Sequence, residues 1–158
     1  MDNIQLFGKI ALGHAHVSDY NKWATAHLVE GAEGMNLCEL ASLEESLNIS
    51  SFEVQDLYKR SLLELNIIEP NSRLSLDKYA IFLCKELLKE PENYKAIIPV
   101  LYDIYLASDY DSKYIAWSDL DDAIKDIEAG SYPYSYGTAT KENIIEIIQN
   151  EAQIQVHG

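Results

Sequence analysis

The sequence predicts an all-α fold, a single-domain irregular helical bundle of about seven or eight helices. Three observations predict it. Apolar residues recur at spacings of three and four almost throughout the chain. Helix-start and helix-stop residues punctuate these runs and leave only short connections between them. The 158 residues are 47% hydrophobic, enough to bury a core and to exclude disorder despite the high charge.

The first helix is expected over about Ile4 to Ala15, with Ile4, Phe7, Ile10 and Ala11 on one face and Gly8 and Gly13 as weak points. Ser18 is the expected N-cap of the second, with Asp19 in its first turn. Tyr20, Trp23, Ala24, His27 and Leu28 form its apolar face, and Gly31 stops it. Asn36 is expected to cap a short helix carrying Leu37, Leu40, Ala41 and Leu43. The fourth helix opens with the capping-box pair Ser50 and Glu53, carries Phe52, Leu57, Leu62, Leu63 and Leu65, and ends at Asn66.

Pro70-Asn-Ser is a turn, and a fifth helix runs from about Ser75 to Leu88. Pro91 suits the first turn of a sixth, which holds Tyr94, Ile97, Ile98, Leu101, Tyr102, Tyr105 and Leu106. Pro99 inside it is expected to kink or break the helix. Ser118 with Asp121 reads as a capping-box variant opening a seventh helix, with Asp119, Asp121 and Asp122 in its first turn. Ala129-Gly130 ends that helix, Ser131–Gly137 is a Tyr-rich loop, and Thr140 caps a last helix bearing Ile144, Ile145, Ile147 and Ile148. No Gly/Ser linker and no repeat divides the chain. Residues 1–152 are therefore expected to form one helical domain. Residues 153–158, where polar and apolar side chains alternate, are expected to be a frayed tail, with a short strand in Gln153–Val156 left open.

Charge bounds the function. There are 26 acidic against 12 basic residues, a formal net charge of −14. Asp103, Asp109, Asp111, Asp119, Asp121, Asp122, Asp126 and Glu128 lie within one stretch, opposed only by Lys113 and Lys125. Such a surface repels nucleic acid and anionic membrane and attracts basic proteins. No apolar run approaches the roughly 20 residues that span a bilayer. The start of the chain, with an acid at position 2 and no basic leader, does not read as a signal peptide. A cytoplasmic location is expected. Cys38 and Cys84, each preceded by Leu, are expected to be reduced and buried.

Chemical motifs are missing. His14 and His16 stand two apart and do not share a helix face, so no metal site is expected there, and His27 reads as a packed helix residue. Asp109-Tyr-Asp111 begins like a calcium loop, but Lys113 and Ile115 follow where ligands and the glycine turn belong. No nucleophile elbow, phosphate loop or dinucleotide fingerprint is present. The chain is expected to be no enzyme and to hold no cofactor. A rival reading assembles a small enzyme from Cys38 or Cys84 with His14, His16 or His27. The bland reading of the acidic run is a solvated face.

Two stretches carry a resemblance. One is Ala11-Leu-Gly-His-Ala-His-Val-Ser-Asp-Tyr-Asn-Lys-Trp-Ala24 through Leu37-Cys-Glu-Leu-Ala-Ser-Leu43. The other is Leu101-Tyr-Asp-Ile-Tyr105 through Trp117-Ser-Asp-Leu-Asp-Asp-Ala123. Together they resemble small all-helical bacterial immunity proteins of contact-dependent growth inhibition and related polymorphic toxin systems. The resemblance implies no catalytic residue. It implies a protein that binds a cognate toxin domain, basic and nuclease-type, and occludes its active site or substrate groove. The alternative is a helical adaptor or regulator of another basic protein. The expected partner face is the acidic run, chiefly Asp109, Asp111, Asp119, Asp121, Asp122 and Asp126. Tyr110, Trp117, Tyr132, Tyr134 and Tyr136 are its candidate aromatic anchors, with Trp117 equally suited to the core.

Overall fold

In the computed structural model, residues 1–43 and 49–158 are described. Among them the chain forms eight α-helices and no strand: α1 (Asn3–Leu12), α2 (Val17–Val29), α3 (Met35–Ala41), α4 (Ser51–Glu64), α5 (Ser72–Lys89), α6 (Tyr94–Ala107), α7 (Ile115–Glu128) and α8 (Ile144–His157). Short 3₁₀ turns precede α6 and α7, and a third lies at Tyr134–Tyr136. The fold is all-α. Contacts group the chain into two compact units, Met1–Ser75 and Leu76–Gly158.

In the first unit α2 packs on α1, α3 and α4, and α3 packs on α4. Its core joins Leu6 and Phe7 of α1, Tyr20, Trp23 and Ala24 of α2, Leu37 and Leu40 of α3, and Val54, Tyr58 and Leu62 of α4. Each of the Leu, Val and Phe side chains is worth about 1.5–3 kcal/mol of burial. Tyr58 stands edge-on to both Tyr20 and Trp23, with ring centroids 5.2 and 5.4 Å away. Its hydroxyl is buried beside Glu69. Burial, and then the charge of Glu69, hold it well above the usual tyrosine range. His27 is a packed helix residue, edge-on to Trp23 with its Nε2 3.0 Å from Asn3 Oδ1.

Several helix starts differ from the sequence reading. Asp2 and Gln5 form a capping box on α1. The second helix is capped at His16, not Ser18, because Asp19 reaches back to accept the His16 backbone N–H at 3.0 Å. Asn36 does not cap α3. Its amide and that of Leu37 donate instead to Glu64 of α4, each at 3.0 Å. Gly34 permits this, since a Cβ there would collide with the Glu64 carboxylate. The Ser50–Glu53 capping box on α4 forms as expected. Phe52 and Leu63, expected on the apolar face, are exposed, while Val54, Tyr58 and Ser61 turn inward. Cys38 is exposed, contrary to expectation, because the buried face of α3 passes through Leu37 and Leu40.

In the second unit α7 packs on α6 and α8. Pro99 sits within α6 without ending it, since the helix runs on to Ala107. Asp109 and Tyr110 both have φ 60°, and this left-handed pair separates α6 from the turn before α7. α7 stops at Gly130, whose φ of 73° suits glycine. Thr140 and Asn143 exchange side-chain-to-backbone hydrogen bonds just before α8. The expected frayed tail is helical through His157. Ile144, Ile148 and Ala152 set a four-residue buried period, and the tail extends that helix.

A candidate protein-binding face on α7

The sequence places α7's start at Ser118, but the helix begins at Ile115. Asp111 brings this about. Its side chain accepts the Lys113 backbone N–H at 3.0 Å and opens a 3₁₀ turn that leads straight into the helix. Asp119, Asp121 and Asp122 therefore lie in the second turn. They gain nothing from the helix dipole, which falls off within the first turn. Trp117, Leu120, Ala123 and Ile124 form the buried face.

This register sorts the expected anchors. Trp117 is 1% exposed and belongs to the core. Asp121 is 4% exposed and is an ion-pair partner of Lys125, one turn on. That ammonium also lies 5.7 Å from the Tyr102 ring. Neither Trp117 nor Asp121 presents a side chain to a partner. Asp119, Asp122 and Asp126, at spacings of three and four, form one stripe on the other side of α7, with Asp122 exposed and the other two half-buried.

The Tyr-rich loop joins that stripe. Its 3₁₀ turn packs on α7, where Ser135 Oγ donates to the Asp119 carbonyl at 2.8 Å. Tyr136 donates to Glu151 Oε1 of α8 at 3.0 Å and is half-buried. Tyr132 donates to the Gly137 carbonyl at 3.1 Å and stands edge-on to Tyr134, centroids 4.9 Å apart. Tyr132 is 57% and Tyr134 85% exposed. Their mutual contact holds two large rings outward at small entropic cost.

The stripe brings like charges together. Partial burial, then the neighbouring Asp122 charge, push the Asp119 carboxyl above the usual aspartate range. Burial, the bond to Glu151 and the Asp119 charge likewise push the Tyr136 hydroxyl up. Among the described residues no cation forms a salt bridge with Asp119 or Asp122, although Lys125 lies near enough to feel the Asp122 charge.

Asp109, Tyr110 and Asp111 form a separate group at the α6–α7 junction. Tyr110 is exposed and edge-on to Tyr105, with centroids 5.4 Å apart. Asp111 is occupied as the cap just described. Nearby Asp77 accepts both Lys113 Nζ and the Tyr114 hydroxyl at 2.6 Å. The pairing of Asp77 with Lys113 had no sequence signal, since 36 residues separate them.

The chemistry available elsewhere is limited. Burial pushes the Cys84 thiol up to about 12, which keeps it protonated. Among the described residues, no group of three or more His, Cys, Asp or Glu is arranged to hold a metal ion, and no helix is long and apolar enough to cross a membrane. No protein-family model, curated protein or solved structure matches this chain.

Proposed function

We propose that this is an immunity protein, which binds a cognate, basic, nuclease-type toxin domain and blocks its active site or substrate groove. The observation that carries this reading is the unpaired stripe Asp119, Asp122 and Asp126 beside the outward rings of Tyr132 and Tyr134. A nuclease needs a basic surface to hold phosphate, and an acidic stripe complements that surface. Complementary charge speeds the encounter, and Tyr anchors slow release. A basic side chain docked at Asp119 offsets the partial burial and the Asp122 charge that now raise its pKa. The resemblance of the Asp19-Tyr-x-x-Trp-Ala24 and Leu37-x-x-Leu-Ala-x-Leu43 segments to immunity proteins favours the same reading. Its proposed site of action is the cytoplasm, without catalysis or cofactor.

The test is affinity capture on the tagged protein from its native cells, followed by co-expression with any toxin domain so captured. Protection of growth and a one-to-one complex are expected. The double variant Asp119→Lys, Asp122→Lys should fold, lose at least about tenfold in affinity, and show a flatter salt dependence. A wild-type chain that neither binds nor protects defeats the proposal. Binding to some other basic protein instead moves the function to a helical adaptor.

A further inference from the structure

The second unit contains a cavity of about 170 Å³ between the start of α6, the end of α7 and the entry to α8. Ile124, Ile127 and Ile144 supply its apolar floor, Tyr94 an aromatic wall, and Lys95 and Lys141 its rim. With Glu128 also on the lining, two ammonium groups and one carboxylate leave this cavity net positive in a chain of net charge −14.

The two lysines are held differently. Lys95 pairs with Glu128, another rim residue, at 2.5 Å and lies 6.0 Å from the Tyr94 ring centroid. Lys141 is exposed in the turn before α8, and among the described residues its ammonium is uncommitted. Its charge sits beside apolar surface that excludes water from one side, which strengthens its attraction for an anion.

We infer that this cavity binds a small amphipathic carboxylate, with its anionic head on Lys141 and its apolar tail on Ile124, Ile127 and Ile144. Lys95 is neutralised at the rim by Glu128, which leaves Lys141 as the cation for the head. The Tyr94 ring covers the tail. A volume of about 170 Å³, open on one side, suits a short alkyl chain. Neutral molecules of the same shape lack the head-group contact, and amines meet like charge. The inference is independent of the proposed toxin partner, because none of these residues lies on the Asp119–Asp122–Asp126 stripe.

The experiment is a titration of the isotopically labelled full chain with hexanoate, 1-hexanol and hexylammonium, read by amide chemical shifts. Saturable shifts at Tyr94, Lys95, Ile124, Ile127, Lys141 and Ile144 are expected with hexanoate. Binding of hexanol should be at least about fivefold weaker, the scale of losing one exposed charge-assisted hydrogen bond. Lys141→Gln should weaken hexanoate about five- to tenfold, and Lys141→Arg should restore most of it. Lys141 is an exposed turn residue, so both variants should fold, which an unchanged amide spectrum outside the cavity checks. Absence of saturable shifts at these residues overturns the inference. Equal affinity for hexanol, or an unaltered affinity in Lys141→Gln, overturns it as well.

Discussion

The acids of the first unit and those of α7 are the same residue types put to opposite uses. In the first unit Asp19, Glu53 and Glu64 each accept backbone N–H groups at a helix N-terminus. Burial alone would raise the Asp19 pKa, but the His16 amide and Lys9 outweigh it and hold it below the usual range. Hydrogen bonds from Ser50 and from Asn36 and Leu37 do the same for Glu53 and Glu64. On α7, the Asp119 carboxylate accepts no hydrogen bond among the described residues, and its pKa is pushed up by partial burial and the Asp122 charge. The net charge of −14 thus combines acids consumed by folding with acids left over from it. Only the second kind is available for a partner.

The largest test of that contrast is Asp19→Asn. Asp19 is 4% exposed and meets Lys9 Nζ at 2.7 Å while also closing the start of α2. Removing its charge should lower unfolding free energy by about 2–3 kcal/mol, below the full cost of breaking a buried pair because the Lys9 stem reaches solvent. The loss should follow pH. A depressed folded pKa gives stability that is present above the unfolded value of about 3.9 and disappears as pH falls through the folded value. Urea unfolding of wild type and variant should therefore differ at neutral pH and converge in acid. A constant difference across that range would show that the packing of Asp19, not its charge, matters.

A smaller effect is expected at Glu64→Ala. Capping α3 from another helix is worth about 1 kcal/mol, the usual scale for an N-cap. Thermal unfolding should register the loss, and Glu64→Gln should recover part of it, since a neutral amide oxygen still accepts the Asn36 and Leu37 amides. Equal stability of Glu64→Ala and wild type would place Glu64 among the uncommitted acids and blur the contrast.

What the sequence revealed divides along the same line. Helices were legible because their periodicity is local, and so was the Ser50–Glu53 box, three residues across. The Glu64 cap was not, because its donor and acceptor stand 28 residues apart and meet only through tertiary packing. On α7 the Ser118–Asp121 pair has the spacing of a start signal, yet Asp111 captures the start one turn earlier. Trp117 and Asp121 are buried because they share the helix face of Leu120 and Ile124, whereas Asp122 faces out. Of the expected face, the Tyr-rich loop and the Asp119–Asp122 stripe do meet, whereas Asp109, Tyr110 and Asp111 stand apart at the α6–α7 junction. Sequence proximity within an acidic run therefore says little about which acids share a surface.

The smallest expected effect separates the two uses most sharply. Asp119→Asn removes a charge that folding does not use, so stability at neutral pH should stay within about 0.5 kcal/mol of wild type, on the stabilising side. The pH dependence should have the opposite sign to that of Asp19. A raised folded pKa imposes its cost above that pKa, and the cost is relieved as pH falls through it toward the unfolded value. Wild type should accordingly gain on the variant as the solution is acidified through that window, which paired urea titrations would show. Should Asp119→Asn instead destabilise the protein at neutral pH, the Asp119 charge would be structural, and the stripe would lose its claim as a surface held ready for a cation. If it is neutral or stabilising and still weakens partner binding, the retained charge is explained by binding, because sites kept for recognition are commonly those that stability alone would discard.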